Sequence, residues 1–489
     1  MISPQPLYDK LDRLHAFVSR TGDDTLREWK PWLSRRQVRP SVLNLAQYLA
    51  LRRKDLRKLQ LDLTGWGLSS LGRCESKVMP TLEAVLANLE SLTGLEPKRK
   101  RPAAAFAYGE NKIKAGTRLL FGPGRHGRNA RIVATLPGEC AQDIAWLADL
   151  MARGMDVARI NLAHDAQDVW EQMLHSLAKA RKKSGRSCRI LMDLGGPKIR
   201  TGAINRLTRR DKAKTGDTLW LTPSNRVPEN PGDAKFSVPC TLPEVVKAVS
   251  LGQRVYIDDG TLECKVIAIT GDGALLEVIR ADEEGKKLKA DKGINMPDTS
   301  LSIPALTEKD RGDLPFALKR ADLLGYSFVQ VPEDIFELHR AMGEQGYPPP
   351  RAPYLVLKIE TAKAVKHFPA LCVAAIGQAP AGIMIARGDL AVEIGFLRLA
   401  EMQEELLWLS EAAHIPVIWA TQVLENLAKR GIPSRAEITD ASMAVRASAV
   451  MLNKGPYLPA AVATLNSVLI SMQAHYHHKA SLLRALRSW

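Results

Sequence analysis

Cysteine is scarce in this sequence. Cys74, Cys140, Cys188, Cys240, Cys264 and Cys372 are spread along 489 residues with no CxxC pair and no metal-ligand spacing. That excludes a disulfide framework and a cysteine zinc site, and it suits a reducing compartment. Long apolar runs are also missing. One long uncharged stretch, PALCVAAIGQAPAGIMIA at 369–386, is interrupted by Gly377-Gln378-Ala379-Pro380, which reads as a helix end, a turn and a strand rather than a membrane span. The opening MISPQPLYDKLDRL lacks the apolar core of a secretory signal, so the expected location is cytoplasmic, with no membrane partner. Acidic residues are short in one region only: residues 1–128 hold 12 Asp and Glu against 24 Lys and Arg, while 129–489 hold 41 against 45. The net charge of +16 therefore belongs mainly to the N-terminal quarter.

What is present is ordinary for a globular chain, with 45% apolar and 25% charged residues, and the length calls for two or three domains. Residues 1 to about 95 read as helical. LNLAQYLALRRKDLRKLQLDL carries apolar residues at helical spacing, Gly65-Trp66-Gly67 breaks it, and Ser69-Ser70 can cap a second helix running through Lys77. With Arg52, Arg53, Lys54, Arg57, Lys58, Arg73 and Lys77, that cadence is open to two readings. One is a DNA-binding helix-turn-helix; the other is a helical docking module with a solvated charged face. KRKRPAAA (98–105) and GPGRHGRNA (122–130) read as linkers.

From residue 130 the rhythm becomes strand–helix alternation: ARIVATL, DVARINLA, CRILMDLG, LGYSFVQV, YLVLKIE, GIMIARGD, PVIWATQ and SAVMLNK, each followed by a helical segment, the last running to Trp489. The alternation pauses over 203–290, where short strands such as DTLWLTP and TLECKVIAI with Gly and Asp turns mark an all-β insert. The expected fold class is α/β: a (β/α)8 TIM barrel over 126–202 and 291–489, an inserted β lid domain over 203–290 after strand three, and a basic helical N-terminal domain over 1–125.

In such a barrel the reactive groups lie at the C-terminal strand ends. Those ends carry Arg159, Asn161 and His164; Asp193, Lys198 and Arg200; Lys358 and Glu360; Arg387, Gly388 and Asp389; and Thr421. Glu360 and Asp389 form a carboxylate pair suited to Mg²⁺, and Arg159, Arg200 and Lys358 suit a transferring phosphoryl group. Lys198 and Arg200 stand two apart, so on an extended chain they face the same side, which calls for an anion between them or for one of them replacing another ion.

Together GMDVARINLAHD, ILMDLGGPKIRTG, VYIDDG, KGINMP, LTEKDRGDL, SFV, LKIE, IARGDLAVEI, IWATQVLENL and PSRAEITDASMAV, in this order over about 130–460, resemble the pyruvate kinase family. The resemblance implies a phosphotransferase acting on phosphoenolpyruvate and ADP to give pyruvate and ATP, with Mg²⁺ or Mn²⁺, in glycolysis. It implies that Lys358 holds the phosphoryl group and stabilises the enolate, and that Glu360 and Asp389 bind the metal. Arg159 and Arg200 would bind phosphate, and the Arg387-Gly388-Asp389 turn would seat the substrate carboxylate. Thr421 would stand near the methylene carbon, and Asn161, His164 and Lys292 would face the nucleotide. The insert is similar to the family's closing lid.

Three departures qualify the resemblance. The family's monovalent-cation residues, Asn-Phe-Ser-His and Asp-Thr-Lys-Gly-Pro-Glu, read Asn161-Leu162-Ala163-His164 and Asp193-Leu194-Gly195-Gly196-Pro197-Lys198 here. Two hydroxyls are gone and a Glu has become Lys198, which resembles the K⁺-independent branch. The expectation is that Lys198, beside Asp193, stands in for K⁺; the alternative is that it merely pairs with Asp193 in a dead site. Second, Gln330 and Asn453-Lys454-Gly455-Pro456 replace an Arg and a Ser-Gly-Glu-Thr run. Third, the chain stops about 30 residues after the eighth strand, where the family continues into a C-terminal domain, so any homo-oligomer would form without that domain's interface. Two other functions stay open: a related barrel enzyme acting on another enol phosphate or 2-oxo acid, and a catalytically inactive regulatory or nucleic-acid-binding paralogue.

Overall fold

The structure, a computed structural model, describes residues 4–96, 103–299, 301, 303–349, 351–477 and 480–481. Most of the KRKRPAAA linker and residues 482–489 lie outside the described residues; the helix expected to run to Trp489 instead ends at Gln473, and Tyr476–His477 then pairs with Ala480–Ser481. The eight alternating segments form a closed parallel barrel: β1 Arg131–Thr135, β2 Val157–Asn161, β3 Arg189–Asp193, β4 Leu323–Tyr326, β5 Tyr354–Ile359, β6 Ala381–Ala386, β7 Val417–Ala420 and β8 Ala449–Leu452. Each strand pairs with its neighbours in sequence, and β1 closes on β8. The strands are buried almost throughout, as parallel strands covered on both faces must be. The expected fourth strand is shorter than LGYSFVQV, because the backbone leaves the sheet at Ser327 and Phe328, where Phe328 takes φ +55°.

Side chains fill the barrel axis, among them Val133, Val157, Leu191, Val356, Met384 and Ile418. The base is sealed by Leu120 and Phe121, each 1% exposed, at the end of the helix Ala103–Phe121. The following segment, 122–130, is not a loose linker. Arg125 and Arg128 both reach Asp156 at 2.8 Å, and Arg128 also donates to Gly154 O.

The insert is a seven-stranded sheet connected to the barrel by paired backbone at Arg200–Gly293 and Thr201–Cys240. Contrary to the all-β expectation it also holds a six-residue helix, Pro243–Ala248, started by a proline whose missing N–H costs nothing at a helix N-terminus. Its last strand, Ile294–Asn295, lies against the barrel, where Asn295 Nδ2 donates to Glu393 Oε1 at 3.1 Å.

The N-terminal region is helical: α1 Pro4–Trp29, α2 Arg39–Arg52, α3 Arg57–Gly65, α4 Val78–Leu92 and α5 Ala103–Phe121. The helix boundaries of the helix-turn-helix reading are not those found among the described residues. The first segment breaks into α2 and α3 at residues 53–56, where Asp55 accepts from the Arg57 N–H and restarts the chain. Ser69 and Ser70 begin no helix; a 3-10 turn, Glu75–Lys77, precedes α4. Several of the basic residues instead serve internal contacts: Arg52 lies 4.9 Å from the Trp408 ring, Lys54 4.8 Å from Phe17 and Lys77 5.4 Å from Phe106.

This region packs on the barrel's outer helices. Asn44 Nδ2 donates to Ala412 O at 2.8 Å and to Glu75 O at 2.6 Å, while its Oδ1 accepts from Val78 N. His414 sits between Ser41 Oγ at 2.9 Å and Ser76 O at 3.0 Å, and burial pushes its imidazole down to about 4. Ser34 and Arg35 N–H donate to Gly377 O.

Candidate active site

The C-terminal strand ends and the lid enclose a cavity of about 460 Å³. Of the residues expected to act, Arg159, Asn161, His164, Lys198, Arg200, Lys292, Lys358, Glu360, Gly388, Asp389 and Thr421 all line it. Parallel alternation delivers them, since each strand ends at the same rim while its interior residues stay apolar.

Lys358, 9% exposed, stands at the centre of the floor. Its Nζ lies 3.0 Å from Glu360 Oε1, 3.7 Å from Asp193 Oδ2 and 2.7 Å from Ser327 Oγ. Ser327 Oγ in turn donates to Leu194 O, so it must present a lone pair to the ammonium. Asp193 is fully buried; its Oδ2 accepts from Arg159 Nε at 2.8 Å, and its Oδ1 has no hydrogen-bond partner. Gly325 on β4 makes room for this carboxylate, because a Cβ there would overlap Asp193 Oδ1. Arg159 also donates to Thr135 Oγ1 at 3.0 Å, which fixes the plane of its guanidinium.

Glu360 Oε2 accepts the Phe328 N–H at 2.7 Å. Burial pushes its carboxyl above the usual range; Lys358 opposes that shift and Asp389 adds to it. Two carboxylates thus face one cavity and repel each other, a donor pair that fits a hard divalent cation completed by water and substrate oxygens.

Lys198 departs from expectation. Its Nζ contacts Asp389 Oδ1 at 2.7 Å, not Asp193, whose cationic neighbours are Arg159 and Lys358. Burial works against its charge, but Asp389, Asp259 and Glu360 outweigh that and hold the ammonium above the ordinary lysine range. The altered cation motif still has its physical basis. Ala163 offers no hydroxyl, Leu194 buries its side chain in the core, and Asn161 Oδ1 is taken by the Ala163 N–H. Arg200 shares the cavity with Lys198, as their spacing suggested, and reaches Asp291 Oδ1 at 3.2 Å.

Arg387 is the second departure. It is 7% exposed and does not line the cavity. Its guanidinium grips Asp440 through both terminal nitrogens, donates to Ala420 O and Thr421 O, and lies 4.6 Å from the Trp419 ring. It positions the rim and does not reach the substrate space. Nor is Arg387-Gly388-Asp389 a turn: it opens the helix α6, Arg387–Ile394. The Gly388 N–H is capped by Thr421 Oγ1 at 2.6 Å, and Thr421 itself sits at φ +64°.

At the end of β2, burial, Lys454 and Arg200 hold the His164 imidazole below its usual value. Lys292 of the lid reaches Asp258 at 3.0 Å, and Lys286 pairs with the same carboxylate. Sequence reading assigned no role to Ser327, Asp258 or Asp259, all of which line the cavity, and Asn453, singled out as a departure, lines it too. Ser327 lay inside a quoted motif, but its role depends on the Lys358 contact from another strand.

The family model described as "Pyruvate kinase, barrel domain" matches residues 127–457. The chain is 34% identical over 331 residues to a pyruvate kinase of Corynebacterium efficiens, covering 67% of this chain and 65% of that protein. It is 31% identical over 368 residues to pyruvate kinase 2 of Trypanosoma brucei brucei, covering 73% and 70%. A pyruvate kinase of Kluyveromyces lactis is 30% identical over 381 residues, covering 75% and 72%. The alignment with the Corynebacterium protein thus spans just under two thirds of that relative's length.

Proposed function

Because this chain belongs to the pyruvate kinase family, we propose that it transfers the phosphoryl group of phosphoenolpyruvate to ADP, giving pyruvate and ATP, as a cytoplasmic enzyme of glycolysis. The observation that carries the reading is the placement of Lys358 between Glu360 and Asp193, with Arg159 and Arg200 facing the same cavity. Phosphoryl transfer needs little covalent chemistry from the protein; it needs fixed positive charge around the moving group and a held geometry.

Arg159, Arg200 and Lys358 surround the phosphoryl group. Lys358 keeps its charge beside the enol oxygen, where negative charge develops as the P–O bond breaks. Glu360 and Asp389 would hold Mg²⁺ or Mn²⁺, which when bound would supply Lewis-acid charge beside the transferring group. The start of α6 at Gly388 and Asp389 receives the substrate carboxylate, and Arg387 keeps that helix end in place through Asp440. Thr421 orders the water that delivers a proton to the methylene carbon. Asn161, His164 and Lys292 face the nucleotide. The lid closes over the mouth and keeps water from the phosphoryl group. K⁺ is not required, since Lys198 supplies a fixed positive charge at the same rim.

The decisive experiment measures pyruvate formed from phosphoenolpyruvate and ADP with Mg²⁺, first in Na⁺ or tetramethylammonium buffer and then with K⁺. Pyruvate is expected in all three, with no stimulation by K⁺. Failure in all three removes the activity, and a strict K⁺ requirement removes the role given to Lys198. A second reading, transfer from another enol phosphate, is favoured by Gln330 and by Asn453 at the cavity wall. Pyruvate silence with turnover of such a substrate would select it.

A further inference from the structure

Beside the main cavity lies a second one of about 490 Å³, within the size range of small-ligand sites. Lys198, Phe328 and Asp389 line both, so these three side chains form the partition between them. One wall is apolar. Ile199, Ile294 and Met296 belong to the lid's core, at 8%, 3% and 4% exposure, and Ile303 packs partly against them. The Phe328 ring closes the space from the barrel side.

The opposite rim carries Lys363 and Lys366, both exposed, with His367 beside them. Neither lysine has an ion-pair partner among the described residues. The acidic residues that face this space are already engaged: Asp298 with Arg254 at 2.6 Å, Asp389 with Lys198 at 2.7 Å, and Glu393 with Asn295 at 3.1 Å. An apolar wall facing two ammonium groups that have no ion-pair partner among the described residues is complementary to an amphiphilic anion. A phosphate alone would waste the apolar surface, and a neutral apolar molecule would leave the charge unused.

We propose that this cavity is a binding site for a small organic anion with an apolar body, such as an aryl or short acyl carboxylate. The body lies on Ile303 and Phe328, and the carboxylate meets Lys363 and Lys366. Phe328 also donates its N–H to Glu360, so an occupant pressing on the partition is felt at the Glu360–Asp389 carboxylates and alters their hold on a divalent cation. That second consequence rests on the function proposed above; the binding itself does not.

The test uses the full chain and 3-phenylpropionate as probe, followed by titration calorimetry and ligand-observed NMR. Binding at about 1 mM or tighter is expected for a probe of this size. Lys363→Gln/Lys366→Gln, at exposed positions that leave folding intact, should weaken it by roughly fivefold or more, as should replacing the probe by the neutral 3-phenylpropanol. Ile303→Glu, at a half-buried position, should abolish it. Saturating inorganic phosphate, which seeks the main cavity, should leave the probe bound. No binding, equal binding by all variants, or displacement by phosphate overturns the site. Mn²⁺ affinity followed by electron paramagnetic resonance should shift about twofold or more with the probe present, and an unchanged value removes the coupling. Because calorimetry reads the probe directly, a silent pyruvate assay would not be mistaken for failure of this site.

Discussion

Lys198 Nζ lies 2.7 Å from Asp389 Oδ1, so the cation that distinguishes this chain's third strand end occupies one oxygen of a carboxylate proposed to bind metal. A divalent ion and this ammonium therefore compete for Asp389. Lys198→Ala is expected to tighten Mn²⁺ binding several-fold, up to about tenfold, by removing the competitor, and to lower turnover by removing charge from the phosphoryl site. Mn²⁺ titration by electron paramagnetic resonance checks the first effect. Unchanged affinity would mean that the ammonium leaves Asp389 without cost.

Among the described residues, Lys358 is the one cation within ion-pair distance of both Asp193 and Glu360. Lys358→Met should reduce pyruvate formation by about a hundredfold or more, the scale seen when one preorganised charge is removed. It also leaves Glu360 buried without its counter-ion, a defect that typically costs about 3–5 kcal/mol. The thermal midpoint should fall and then recover in part when Mg²⁺ is added. A variant with an unchanged midpoint would show that Glu360 is protonated without hardship.

Gly325→Ala is expected to damage activity more than folding. The added Cβ would overlap Asp193 Oδ1, and Asp193 orients Arg159. Displacing the carboxylate misaims the arginine, and misplacement on this scale costs about a hundredfold. Far-ultraviolet circular dichroism and the pyruvate assay separate the two effects. A fully active variant would show that Asp193 can shift without moving Arg159.

Stability should fall with acid through His414. Burial holds its folded value at about 4, below the roughly 6.5 of an unfolded histidine. The depressed value means that the unfolded chain takes up the proton first. The stabilising contribution is full above about pH 6.5 and is lost as the pH falls toward 4. The loss is on the order of a few kcal/mol. Urea midpoints at pH 7 and 4.5 should differ markedly in the natural chain and less in His414→Gln. Equal pH sensitivity in both would assign the effect elsewhere.

Much of the barrel was legible because each strand is an unbroken buried run and each strand end carries its polar residues at one rim. What could not be read is set by distant partners. The Lys198 ammonium is claimed by Asp389, 191 residues later. Arg387 looks like a substrate arginine until Asp440 and Trp419 are seen to hold it below the rim. The Arg387-Gly388-Asp389 stretch reads as a turn because its helix is capped from another strand, by Thr421, and a local pattern holds no trace of that. The N-terminal region failed differently: Ser69 and Ser70 are good capping residues with no helix behind them.

Leu120 and Phe121 give the molecule a property that family matching does not. The matched family model begins at residue 127, yet the stopper of the barrel's lower opening arrives from before it. A fragment trimmed to the matched boundary would expose the ends of Val133, Leu191 and Val356 to water, and with them the inner lining of every strand that aims a side chain at the chemistry. The end of the helix Ala103–Phe121, upstream of the matched region, is in that sense a structural component of the barrel it closes.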